Sequence, residues 1–192
     1  MGVDKVIFRA FLSTLLAIIT LLVFMIGLLC LAFPSTMMGL TYNLGMDKSS
    51  IYFAECAYSR SDDVYYIAYA TEIAIEGESI DKIIEDGEKL IADDGFATYC
   101  EGKNEIYGQY VYGQVVLAKY EKGDKTSAIT TAFKALNGAF PKNNAVVALT
   151  LKALRLNDGE TVLRIRGKLM EMQGAITEAD GAYFNEILAL TA

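Results

Sequence analysis

Histidine and tryptophan are both absent from the 192-residue chain, and proline occurs only twice. Without histidine there is no Ser-His or Cys-His nucleophile pair, and the commonest general base and transition-metal ligand is missing. The chain also has no Walker loop and no GxGxxG fingerprint. We therefore expect a protein that is not an enzyme and has no catalytic, cofactor-binding or metal site.

Basic residues are outnumbered by acidic ones, 17 Lys and Arg against 24 Asp and Glu, so the net charge is −7. Residues 72–94 contain nine acidic residues against two lysines, whereas a smaller basic cluster lies between residues 152 and 168. Phosphate binding depends on clustered Lys and Arg, so an acidic balance argues against nucleic acid as a partner. We interpret the acidic segment as a solvated helix face.

Charge is missing altogether from Ala10 to Met46. A helix over residues 10–33 would be about 36 Å long, which is enough to cross a hydrocarbon core of about 30 Å. The alternative is a cleavable signal peptide, whose apolar region is usually about 7 to 15 residues and therefore shorter. We predict an uncleaved, single-pass signal-anchor that uses the lipid bilayer as a partner.

The few charges near this segment indicate an orientation. Lys5 and Arg9 precede the span within a short N-terminus, residues 1–9, and the next cation is Lys48. The positive-inside bias then places the N-terminus in the cytoplasm and the rest of the chain outside the cell membrane. Residues 34–46 are expected to lie at the membrane interface as an apolar juxtamembrane helix, interrupted at Gly39 or Gly45.

From residue 47 to residue 192 the apolar residues recur mostly at spacings of three and four, which predicts an all-α domain of antiparallel helical hairpins. Turns are expected at 76–78, 122–124 and 157–159, with Gly123 left-handed and Asp124 capping the next helix. The predicted helices cover residues 62–76, 80–91, 105–121, 125–136, 144–156, 160–172 and 178–190.

One hairpin carries a recognisable pattern. Tyr120-Glu-Lys-Gly-Asp124 is followed by alanines at 128, 132 and 135 and by Pro141. Over residues 105–143 this resembles a tetratricopeptide repeat, a family in which a tyrosine, a Gly-Asp turn, small alanines and a closing proline recur. The turn glycines lie 46 and 36 residues apart, in the range of helical repeats. The resemblance implies an α-solenoid whose first helices line a peptide-binding surface.

Tyrosines are concentrated on the first helices of two predicted hairpins. Tyrosine is enriched at interfaces because it combines a large rigid contact with a hydroxyl, although the same residues can simply pack between helices. The predicted partner-binding residues are Tyr65, Tyr66, Tyr69, Tyr107, Tyr110 and Tyr112. Cys56 and Cys100 are expected either to form a disulfide in an oxidising compartment or to remain free buried thiols.

Together these features favour a membrane-anchored protein–protein interaction module, an adaptor or scaffold that binds a protein or peptide. The alternative is a small structural subunit of a larger membrane complex, in which the apolar helix packs against other helices.

Overall fold

The computed structural model of the chain describes residues 3–104, 106–136 and 139–192. Helices and connecting turns make up these ranges, and no strand occurs within them. The all-α class predicted from the apolar spacing is therefore confirmed. The chain divides into two compact units, of which the first ends at Asp62 and the second spans Asp63–Ala192.

The first unit begins with the apolar helix α1, Val3–Ala32. Within it, Ile7–Ala32 is long and apolar enough to cross a membrane, with a mean hydropathy of 3.0 and none of its most apolar window buried. The polar residues Ser13, Thr14 and Thr20 return their hydroxyls to carbonyls one turn earlier, at 2.8–2.9 Å. These bonds satisfy the hydroxyls inside the helix itself, as a lipid environment requires.

Two further helices complete the first unit. Helix α2, Pro34–Asn43, continues through Gly39 and ends just before Gly45, which is left-handed with φ 68°. Helix α3, Asp47–Ser61, packs on α2, and the Ser50 hydroxyl donates to the Met38 carbonyl at 2.9 Å. The Arg60 guanidinium donates to the Leu31 carbonyl and so caps the C-terminal end of α1.

Among its described residues, the second unit contains eight α-helices and one short 3-10 helix, Gln173–Ala175. Helices α4 and α5, α7 and α8, and α9 and α10 pack in pairs, while α7 also contacts α5 and α9. The short α6 lies between the first two pairs, and α11 packs on α10. The bounds are α4 Val64–Glu76, α5 Ile80–Ala92, α6 Phe96–Glu101, α7 Tyr107–Glu121, α8 Lys125–Lys134, α9 Ala145–Arg155, α10 Gly159–Met172 and α11 Glu178–Leu190.

Four turns share one geometry, in which a left-handed residue is followed by the N-cap of the next helix. The left-handed residue donates its N–H to the carbonyl three residues earlier, and the cap residue donates to the carbonyl five residues earlier. This is the Schellman pattern of helix termination. The pairs are Gly45–Met46, Glu78–Ser79, Gly123–Asp124 and Asn157–Asp158.

The prediction for Gly123 and Asp124 is confirmed, since Gly123 has φ 92° and the Asp124 carboxylate accepts from the Ser127 N–H. At the other two predicted turns the left-handed residue is not the glycine. Gly77 keeps a negative φ and Glu78 takes the left-handed conformation. Gly159 instead starts α10, because Asn157 has already reversed the chain.

Helix bounds differ from the predictions in a few places. Helices α3 and α6 were not predicted as separate elements, and α8 ends at Lys134, two residues before the predicted end. Glu105, the predicted start of α7, lies outside the described residues. The predicted solvent face of α5 also contains an exception, because Asp86 is fully buried, with the Lys89 ammonium 3.4 Å from its carboxylate.

The main core of the second unit is formed by side chains from the helices α7 through α11. Its largest fully buried side chains include Phe140, Leu149, Ile165, Leu169 and Phe184. Ala128 and Ala132 on α8 and Ala145 and Ala153 on α9 are fully buried, which allows these helices to approach closely. A buried lysine of α7, Lys119, links neighbouring helices, with its ammonium 2.8 Å from Thr131 Oγ1 and 2.5 Å from Glu88.

Candidate partner-binding surface

The three predicted tyrosines of α4 form a small aromatic group. Tyr65 is 44% exposed, while Tyr66 and Tyr69 are half-buried. The Tyr65 ring lies 5.4 Å from the Tyr66 ring, edge to face, and 6.2 Å from the Tyr69 ring. The Asp63 carboxylate caps the N-terminus of α4 by accepting from the Tyr65 N–H at 3.0 Å. This hydrogen bond stabilises the first turn of the helix, which contains Tyr65 and Tyr66.

The three predicted tyrosines of α7 differ in accessibility. Tyr110 is 45% exposed, Tyr112 is half-buried with its ring 6.1 Å from that of Phe96, and Tyr107 is buried. Tyr107 and Tyr110 lie three positions apart on one side of the helix, whereas Tyr112 lies on a different side, so the three rings do not share one face. Tyr110 therefore has the most accessible ring of the three.

Tyr107 connects α7 to α4. Its hydroxyl donates to Glu72 Oε1 at 2.7 Å, and the Lys103 ammonium lies 3.6 Å from the same carboxylate. Burial raises the pKa of the Tyr107 phenol above its ordinary value, and the Glu72 hydrogen bond raises it further. The hydroxyl thus remains a donor at neutral pH, and Tyr107 links α7 to α4.

Two residues of this surface were missed by sequence reasoning. The Lys103 ammonium lies 5.1 Å from the centre of the Tyr99 ring and 5.5 Å from that of Tyr107, within cation–π range. The Tyr99 and Tyr107 rings are 5.8 Å apart, edge to face. The sequence carries no local signal for this contact, because Lys103 lies beyond the end of α6 and its position depends on the loop that follows.

A cleft of about 340 Å³ lies between the end of α5, α6 and α7. Phe96, Cys100 and Tyr112 form part of its wall, and Asp93 and Asp94 add acidic groups. It accordingly combines an apolar wall with negative charge, which suits a cationic side chain that has an apolar stem.

Gln109 also lines the cleft and contributes an unused acceptor. Its amide nitrogen donates to the Ala135 carbonyl at 2.8 Å. Its amide oxygen is buried and accepts no hydrogen bond from any residue that the structure describes. A buried acceptor without a donor costs free energy, which a donor from a ligand recovers.

All three cysteine side chains are half-buried. Burial raises the pKa of the Cys100 thiol, so it is less reactive than an exposed cysteine at neutral pH. Cys56 belongs to the first unit and Cys100 to the second. The disulfide alternative for Cys56 and Cys100 stays a prediction.

No family model, curated protein or solved structure matches this chain.

Proposed function

We propose that this protein is a membrane-anchored protein-interaction module, in which a tetratricopeptide-like stack of hairpins holds a polypeptide partner, with no catalytic activity of its own. The observation that carries the proposal is the repeated turn. Gly123–Asp124 and Asn157–Asp158 have the same hydrogen-bond pattern and lie 34 residues apart. That interval equals the tetratricopeptide repeat length.

Packing between the hairpins supports the same interpretation. The second helix of the α7–α8 pair presents Ala128 and Ala132, both fully buried, and α9 presses against both members of that pair. An isolated hairpin cannot bury its apolar faces, so stacking supplies the core of a helical repeat array. Such arrays leave the first helix of each pair available for ligands.

The partner surface follows from the exposed tyrosines and the cleft. Tyr65 and Tyr110 supply the accessible rings, Asp93 and Asp94 supply negative charge, and Gln109 supplies a buried acceptor. We propose that the partner is a polypeptide segment that places a cationic side chain in the cleft and donates a hydrogen bond to Gln109. Rigid aromatic contacts around such an anchor are typical of interface hot spots.

The membrane location completes the proposal. Lys5 and Arg9 precede the span and Lys48 follows it, so the N-terminus is assigned to the cytoplasm and the hairpins to the outer side of the cell membrane. The hairpin stack then binds its partner next to the bilayer in which α1 is held.

Site-specific photo-crosslinking of the full-length chain in intact cells tests the surface. A photoreactive phenylalanine analogue at position 65 or 110 is expected to give an adduct with the same partner, identified by mass spectrometry. The matched control is position 151, because Leu151 is similarly exposed, at 47%, but lies on α9, which carries none of the predicted tyrosines. Equal adduct yields at all three positions would contradict a localised binding surface.

Substitution measures how much the tyrosines contribute. Tyr65→Ser with Tyr110→Ser should lower adduct formation from a probe at position 97 in the cleft by at least about tenfold, because hot-spot tyrosines each contribute about 2 kcal/mol or more. Leu151→Ser should leave it unchanged. Unchanged yield in the tyrosine variant would refute the proposal.

The alternative, a structural subunit of a larger membrane complex, is favoured by one observation, the complete exposure of the α1 apolar window. Replacing residues 10–32 with an unrelated Leu-Ala span of equal length separates the two functions. An interaction module retains its crosslinks at positions 65 and 110, whereas a structural subunit loses its neighbours and its stability.

A further inference from the structure

The turn between α2 and α3 has an apolar tip. Leu44 is 65% exposed and Met46 is 49% exposed, and they flank Gly45, which reverses the chain with φ 68°. Turns that face water are normally built from polar residues and glycine. The other three turns of the same Schellman geometry follow that rule, at residues 77–79, 122–124 and 157–158.

The backbone of this turn satisfies its own donors without water. The N–H groups of residues 44, 45 and 46 all donate to carbonyls in the last turn of α2, at 2.9–3.2 Å. The Thr41 hydroxyl beside them donates to the Met37 carbonyl at 2.8 Å. An apolar environment requires that backbone polar groups are paired within the chain, and the donors of this turn meet that requirement.

The apolar exposure continues along α2. Leu40 and Phe33, which are 51% and 56% exposed, precede Leu44 by four and eleven positions. With 3.6 residues per turn, these three residues lie on one narrow side of the helix. Met38 and Thr41 lie on another side and are buried. Helix α2 therefore packs on α3 with one side and leaves an apolar stripe uncovered on another.

The residues around the turn limit how deeply it can enter an apolar phase. Asp47 and Lys48 directly follow Met46, and both are exposed. Charged side chains are costly inside a bilayer, so only a shallow position is compatible with them. Tyr42 and Tyr52 of the same hairpin are 41% and 58% exposed, and tyrosine is enriched at the headgroup level because its ring is amphipathic.

We propose that an apolar tip surface on the α2–α3 hairpin enters the boundary between headgroups and acyl chains, in the same bilayer that α1 spans. This surface consists of Phe33, Leu40, Leu44 and Met46. The inference rests on the proposed anchoring by α1. Lipid is the occupant because the uncovered apolar surface continues from α1 into α2, with no charged residue from position 10 to position 46.

The base of the hairpin is held at the end of the span. The Arg60 guanidinium donates to the Leu31 carbonyl, which ties the end of α3 to the end of α1. The sequence predicts only that residues 34–46 lie at the membrane interface, whereas the fold selects four side chains and a shallow depth. The tip surface thus gives the chain a second membrane contact.

Single-tryptophan fluorescence tests this contact, because the chain has no tryptophan of its own. The full-length chain is reconstituted in phosphatidylcholine vesicles whose lipids carry bromine either high on the acyl chains or near their ends. With Leu44→Trp, the high bromines should quench at least about half of the emission and the deep bromines less, because an interfacial segment enters by only about 5–10 Å. With Leu22→Trp, in the middle of α1, the deep bromines should quench more.

Leu156→Trp is the matched control. Leu156 is 56% exposed in the turn between α9 and α10, but it lies between the charged residues Arg155 and Asp158, so neither lipid should quench it. Equal quenching at positions 44 and 156 would overturn the proposal. Quenching at position 22 alone would overturn the second contact and leave α1 anchored. Absence of quenching at position 22 would overturn the anchoring and, with it, this inference.

A further variant isolates the contribution of the turn. Leu40→Trp reports on the stripe, and adding Leu44→Ser with Met46→Ser should lower its quenching by the high bromines at least about twofold, because binding at the interface scales with buried apolar area. Asn43→Ser, at an exposed residue that is already polar, should leave the quenching unchanged. An equal circular dichroism spectrum excludes unfolding. Unchanged quenching in the turn variant would contradict the proposal, and a blue-shifted but unquenched tryptophan at position 44 would show that protein covers the turn instead.

Discussion

At the scale of single residues, the Asp158 carboxylate connects two hairpins. It accepts from the Tyr120 hydroxyl at 2.7 Å, lies 2.8 Å from the Lys125 ammonium and caps α10 through Thr161. Lys125 first, and then Tyr120, hold the pKa of this carboxyl well below its usual range. Burial first, and then Asp158, raises the pKa of Tyr120 to about 12.

Asp158→Asn should lower the free energy of unfolding by about 1–3 kcal/mol, because a hydrogen-bonded charge is removed from a mostly buried position. Asparagine caps helices as well as aspartate does, so the loss reports the contacts with Tyr120 and Lys125. Urea unfolding followed by circular dichroism measures it. Asp124→Asn is the control, since that carboxylate caps α8 from an exposed position. An equal loss in both variants would contradict this role for Asp158.

The same contacts predict how stability depends on pH. The folded-state pKa of Asp158 is depressed, so its contribution is present above its unfolded value of about 3.9 and fades as the pH falls further. Tyr120 has the opposite sign, because its raised pKa gives stability that is lost between about pH 10 and pH 12. Unfolding curves for the parent and Asp158→Asn should therefore converge below pH 4. Constant separation down to pH 2 would contradict this assignment.

Asp158 also shows where sequence reasoning reached its limit at this scale. The turn at 157–159 was predicted from its composition, and a cap position follows from local chemistry. The partners Tyr120 and Lys125 lie 38 and 33 residues earlier in the chain. Contacts at that separation depend on how hairpins stack, which no local pattern encodes. The burial of Tyr107 was missed for the same reason.

At the scale of elements, Gly87 sets how closely α5 approaches α7. A Cβ atom added there would lie 2.3 Å from the Val115 side chain, which is fully buried. Gly87→Ala should lower the free energy of unfolding by about 1–3 kcal/mol, because overpacking outweighs the gain of about 1 kcal/mol in helix propensity. Urea unfolding of the detergent-solubilised chain gives the value.

Gly113→Ala is the matched control, because Gly113 is buried in α7 but a Cβ atom there would meet nothing within 4 Å. It should be neutral or stabilising. Adding Val115→Ala to Gly87→Ala should recover part of the loss, since the methyl that clashes is removed. Additive effects in this double-mutant cycle would show that the two residues do not interact.

Element boundaries were predictable where helices have strong apolar periodicity and capped ends. Helix α11 begins and ends where it was predicted, and Asn144 caps α9 through the Val147 N–H. Helix α3 was missed because its buried face consists mainly of Ser50, Ile51, Ala54 and Ala57, which give a weak apolar signal. Asp86 broke the pattern of α5 because a buried carboxylate cannot be recognised from spacing alone.

At the scale of the whole molecule, the folded chain leaves one large apolar surface uncovered. The most apolar window of α1 is entirely exposed, and its large side chains from Ile7 to Leu31 are mostly more than 40% accessible. Each fully buried side chain of this kind gains about 1.5–3 kcal/mol on leaving water. Exposure on this scale is incompatible with a stable water-soluble monomer. Helix α1 is therefore either inserted in a bilayer or removed as a signal sequence.

We predict that α1 is retained and spans the membrane. The chain should stay in the membrane pellet after alkaline carbonate extraction, with an intact mass of 21.0 kDa. Leu21→Arg with Leu22→Arg should release it, because each central arginine costs about 2.5–3.5 kcal/mol on insertion. Leu21→Ala with Leu22→Ala is the control and should remain in the pellet. A shorter mature chain that begins after α1 would show instead that the segment is a cleaved signal sequence, and the hairpin stack would then act without an anchor.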